Sequence, residues 1–94
     1  MKARTPSIAN ELRRAVAIAL AGDWQGAHEI AQQYEDDPTA CWLHAVVHRI
    51  EGDSSNARYW YGRCRRELRE QVSTQDELKE IAAALADPSA GPEA

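Results

Sequence analysis

A turn that occurs twice, thirty residues apart, constrains this chain more than any other feature. Gly22-Asp23 is followed four places after the aspartate by Ala27, and Gly52-Asp53 is followed at the same distance by Ala57. Glycine permits the left-handed residue at which a helix stops, aspartate can cap the next helix, and a small alanine lets two helices approach closely. Apolar and aromatic residues continue at helical spacing after each turn: Ile30, Ala31 and Tyr34 in the first copy, Trp60, Tyr61 and Cys64 in the second. A helix–turn–helix unit that repeats is the sequence sign of stacked helical hairpins. The expectation is an all-α fold.

Breakers divide the rest of the chain into about five helices. Thr5-Pro6-Ser7 can open a first helix to about position 21, with Ile8, Leu12, Ala15, Val16 and Ala19 on one face. Asp23 caps a second, about 24–34. Asp36-Asp37-Pro38 reads as a cap followed by proline at the first helical position, opening a third helix to about 51. A fourth runs from about 54 to 71 with the stripe Ala57, Trp60, Tyr61, Cys64, Leu68 and Val72. Thr74-x-x-Glu77 reads as a capping box that opens a fifth helix, about 74–86. The domain expected is a single one over 1–87, with 88–94 a flexible tail.

Gly22 to Tyr34, in the pattern G-D-W-x-x-A-x-x-x-A-x-x-Y, resembles the turn and second helix of a tetratricopeptide repeat. The second copy, Gly52-Asp53-x-x-x-Ala57-x-x-x-Tyr61-x-x-Cys64, fits less fully, since no aromatic follows Asp53. Ala45 falls where such a repeat wants a small residue, and Pro38 lies near the inter-repeat proline. The period is thirty rather than thirty-four, and there are two copies where three are usual. The resemblance implies two antiparallel hairpins, about 8–35 and 38–71, with the fifth helix as their cap. It also implies an interaction or scaffold module for a protein or peptide partner or for a second copy of the chain. In that register Trp42, Val46, Arg49 and Ile50 face the concave side, and an exposed strip of that kind has to be covered by a partner or by the fifth helix. The stretch His44-Ala45-x-x-His48-Arg49 with Asn56-Ala57-x-Tyr59-Trp60-Tyr61 is also similar to a group of short helical proteins without known function, a likeness that lends no activity.

Charge narrows the partners. Eleven basic against fifteen acidic residues give a net charge of −4, which counts against nucleic acid. Arg58, Arg65 and Arg69 still line one flank of the fourth helix, a face that suits an acidic peptide or phosphates. The simpler reading is a solvated face neutralised by Glu67 and Glu70 and by the acidic fifth helix, Asp76, Glu77, Glu80 and Asp87. Lys2, Arg4, Arg13 and Arg14 precede an apolar run from Ala15 to Ala21 that imitates a signal peptide. Seven residues are short for that role, and Glu11 interrupts the basic stretch. A cytoplasmic protein without a membrane span is therefore expected. The two cysteines, Cys41 and Cys64, lack a CxxC spacing and read as small buried hydrophobes.

Only the histidines suggest chemistry. His44 and His48, four apart, present two imidazoles on one helix face, and His28 on the neighbouring helix could add a third. Three imidazoles with an open fourth position would hold zinc or a similar divalent ion. Nitrogens converging to within about 4 Å would mark such a site. The glutamate of His-Glu-x-x-His is missing, Ala45 standing in its place, so metalloprotease chemistry is not indicated. The simpler reading is structural, with the metal site as its alternative: buried imidazoles bonded to Asn56, Tyr61 or a carboxylate, and no cofactor. No phosphate loop, nucleophile elbow or paired catalytic carboxylates occur, so no catalytic residue is assigned and an enzyme is the minority reading.

Overall fold

The structure, a computed structural model, describes residues 7–86. The expected tail, Asp87, and the basic residues Lys2 and Arg4 lie outside the described residues. Five α-helices follow one another: α1 (Ile8–Leu20), α2 (Trp24–Ala31), α3 (Pro38–Glu51), α4 (Ser54–Arg63) and α5 (Thr74–Leu85), with a 3-10 turn Gln32–Tyr34 after α2. The fold is all-α. Among the described residues no helix is long and apolar enough to cross a membrane.

Local chemistry accounts for the starts. Ser7, Asp23, Asp37 and Asp53 each accept a backbone N–H from the first turn of the helix that follows. Pro38 sits at the first position of α3, where its missing N–H costs nothing. Helix α5 departs by one residue from the expected capping box. Its cap is Ser73, which accepts from the Asp76 amide at 3.0 Å, and Glu77 points elsewhere.

The two Gly-Asp turns are built alike. Gly22 and Gly52 adopt φ of +106° and +93°, a region where a side chain is strained. In each turn the aspartate amide reaches back to a carbonyl five residues earlier, Asp23 to Ile18 at 2.8 Å and Asp53 to His48 at 2.9 Å. Each aspartate carbonyl then accepts from the amide of the buried alanine, Ala27 or Ala57.

Helix α4 ends at Arg63, eight residues before the expected position 71. The Arg66 amide bonds the Tyr61 carbonyl at 2.8 Å and the Arg65 amide bonds Gly62 at 3.1 Å, the paired closure of a Schellman motif. Arg65 takes the left-handed position, φ 60°, that glycine usually holds. The irregular segment 64–73 then folds back over α3. Arg66 lies over the Trp42 ring at 3.4 Å, and the Val72 carbonyl accepts from Arg49 at 2.8 Å.

Helix α3 is the central element. Ala40 through Val47 are all buried, and α3 packs against each of the other four helices. Helix α5 lies across α1 and α3, burying Leu78, Ile81 and Leu85, and Arg13 of α1 donates to the Leu85 carbonyl at 2.6 Å.

Candidate metal centre

His44 and His48 stand one turn apart on α3, and the packing of α2 against α3 brings His28 to the same place. Ring centroids are 4.6 Å apart for His28 and His44, 5.4 Å for His28 and His48, and 5.0 Å for His44 and His48. One ligand nitrogen from each lies within 4.8 Å of the other two. A tetrahedral ion with arms of about 2.05 Å requires edges of roughly 3.3 Å between its ligand nitrogens.

The surroundings differ for each ring. His44 is buried, and its Nδ1 has no hydrogen-bond partner among the described residues. Trp60 of α4 stacks on it with centroids 3.9 Å apart and planes 16° off parallel. Burial, followed by the neighbouring His28, His48 and Arg63 charges, lowers the His44 pKa from 6.5 to about 4. At neutral pH the ring is therefore uncharged, the form that ligates. His48 Nδ1 meets Glu51 Oε1 at 3.0 Å, which orients the ring and leaves Nε2 for another partner. Glu51 and Asp53 form a second, more exposed group around the same histidine.

The hydrogen bonds that would make the histidines purely structural go elsewhere. Asn56 donates to Asp53 at 2.7 Å, and Tyr61 donates to Glu77 at 2.7 Å. Only His48 has its carboxylate.

The expected concave strip is covered from within the chain. Trp42 and Val46 are buried, and Ile50 is half-buried against the core. Arg49, 13% exposed, donates to Glu77 Oε1 and to the Val72 carbonyl, both at 2.8 Å. Helix α5 and the segment 64–73 pack on this side of α3.

The arginines do not form one face, because α4 stops before two of them. Arg58 belongs to α4 and pairs with Glu70 at 3.3 Å, both exposed. Arg65 shapes the turn. Arg69 meets Glu80 at 2.6 Å and Glu77 at 3.7 Å. Glu80 and Glu70 neutralise these charges within the chain.

Sequence reasoning missed the role of Glu77. It is 1% exposed and accepts from Trp42 Nε1 at 2.8 Å, Tyr61 Oη at 2.7 Å and Arg49 at 2.8 Å, joining α3, α4 and α5. A signal existed: Glu77 precedes Ile81 by four and Leu85 by eight, which puts a carboxylate on the apolar stripe of α5.

Compared with protein-family models, with curated proteins and with solved structures, the chain has no match in any of the three.

Proposed function

We propose that this protein binds a first-row transition ion of the zinc class through His28, His44 and His48. The observation that carries the reading is the convergence of three imidazoles around a buried His44 whose Nδ1 is unpartnered. A buried ring nitrogen without a bond costs about 1–3 kcal/mol, and coordination would remove that cost. Imidazole ligands suit zinc, copper, nickel and cobalt, and three of them leave a fourth position for water or a small ligand. Glu51 behind His48 supplies the carboxylate that commonly orients a ligating histidine.

The test begins with the purified full chain. About one equivalent of metal is expected, together with a rise in melting temperature on adding zinc, nickel or cobalt to stripped protein. His44→Ala and the less buried His28→Ala should both abolish the shift. Metal-free protein with no shift for any of the three ions would exclude the site.

A second reading treats the chain as a small tetratricopeptide-like module for a protein or peptide, or for a second copy. The thirty-residue spacing of the two Gly-Asp turns in the sequence is the ground for the repeat part of it. Exposed Tyr59 supports the binding part, 56% accessible with its ring edge against Trp60 at 5.3 Å. It expects a dimer in light scattering that Tyr59→Ala disperses; a monomer in both would count against self-association. Both readings suit a cytoplasmic protein, whose cysteines are free thiols.

A further inference from the structure

Cys41 and Cys64 are 23 positions apart in sequence and meet in space. Cys41 lies in the opening turns of α3, and Cys64 follows the last residue of α4. Both sulfurs approach one acceptor, the Trp60 carbonyl, at 3.4 and 3.2 Å. The Cys64 thiol also lies 3.5 Å from the Tyr61 carbonyl. Packing alone would not need two thiols at one carbonyl; alanine or valine fills such space without a polar handle.

The pair also has an entrance. Both cysteines line an open cleft of about 290 Å³ between the loop before α3 and the end of α4. Glu35, Asp36 and Asp37 stand on one side of it, Arg63 and Arg65 on the other. A small molecule carrying both carboxylate and ammonium groups finds complementary charge on each wall. We propose that Cys41 and Cys64 are a dithiol–disulfide site, closed and reopened by exchange with a small disulfide of the glutathione class that enters through this cleft.

The exchange balances without any other reagent. A protein thiolate attacks one sulfur of the small disulfide, forming a mixed disulfide and expelling one small thiolate. The second protein sulfur then attacks the first, closing the internal bond and expelling the other. The two protons pass to the two small thiols, and two electrons move from the protein to the former disulfide. Burial, followed by the neighbouring Cys41, pushes the Cys64 thiol up to about 12. One of the two sulfurs attacks as the thiolate and the other resolves the mixed disulfide, with Arg63 lining the same cleft. The closed bond would tie the start of α3 to the end of α4.

The full chain, stripped of metal with a chelator, is equilibrated in glutathione buffers of increasing oxidised fraction, acid-quenched and alkylated. Mass spectrometry then counts free thiols. The expected result is one internal disulfide per monomer, with loss of two hydrogens and no added glutathione. Half-closure should fall at a ratio at least about tenfold less oxidising than for the same chain in denaturant, because the fold holds the sulfurs together. Cys64→Ala and Cys41→Ala should each stop at the mixed disulfide or remain reduced. Two alkylated thiols at every ratio, glutathione on both cysteines without an internal bond, or equal ratios for native and denatured chain would each overturn the proposal. The measurement on the unsubstituted chain decides it even where a variant folds poorly.

Discussion

At the residue scale, Glu77 is the position where structure and sequence reading differ most. It resembles a capping residue because it stands three places after Thr74. Its carboxylate instead turns inward to Trp42, Tyr61 and Arg49. A buried carboxylate is tolerated only when its lone pairs are filled, and here three donors fill them. The bond to Glu77, after burial, pushes the Tyr61 hydroxyl well above the usual tyrosine range, so the proton stays on tyrosine and the donor role is fixed. Removing the carboxylate strands the Arg49 charge, the indole N–H and the phenol together. Glu77→Ala should therefore cost about 3–5 kcal/mol in urea unfolding, as expected for breaking a buried ion pair. Glu77→Gln keeps acceptor capacity and should cost less. A loss below about 1 kcal/mol for the alanine variant would mean that the network contributes little. The histidine cluster lay at the other extreme of legibility. The spacing of His44 and His48 placed two rings together, and only the hairpin assumption supplied His28.

At the element scale, the helix starts were legible because they are local. A cap acts within three residues, and Ser7, Asp23, Asp37 and Asp53 each stand beside the first turn they serve. The end of α4 was not legible, because the stop signal is a conformation rather than a residue type. Arginine in the left-handed region costs roughly 1 kcal/mol, and nothing in a run of arginines announces it. What compensates lies far away in sequence: Arg66 over Trp42 and the Val72 carbonyl on Arg49. The apolar stripe from Ala57 to Val72 thus belongs to two elements, not one. The repeat register makes a sharper claim at this scale. Ala57 is fully buried where α4 meets α3, whereas Ala83 is exposed on α5. Ala57→Leu should cost about 1–3 kcal/mol by overpacking that contact, measured by chemical denaturation. Ala83→Leu should stay within about 0.5 kcal/mol. Equal small effects would mean that the α3–α4 contact can spread apart at Ala57 without loss.

At the scale of the whole molecule, α3 is wrapped on all sides and carries at its centre a histidine that a stable core would rather keep neutral. Burial and neighbouring positive charge hold its pKa near 4, against 6.5 when the chain is unfolded. Between those values the unfolded chain binds the proton and the folded chain does not, so protonation favours unfolding. Stability from this group is fully present above about pH 6.5, declines as pH falls, and is flat again below about 4. Such a displacement corresponds to roughly 3 kcal/mol over the window. Metal-stripped protein followed by urea unfolding from pH 7 to pH 4 should show that loss, and His44→Gln should flatten the profile. Zinc adds a separate contribution at pH 7, about 2.7 kcal/mol at a hundredfold excess over its dissociation constant. That contribution also vanishes as the ligands take up protons, so the zinc-loaded chain should lose stability more steeply across the same window. Parallel profiles with and without zinc would show that the ion is not held by the histidines. A slope that persists in His44→Gln would place the titrating group somewhere other than the heart of α3.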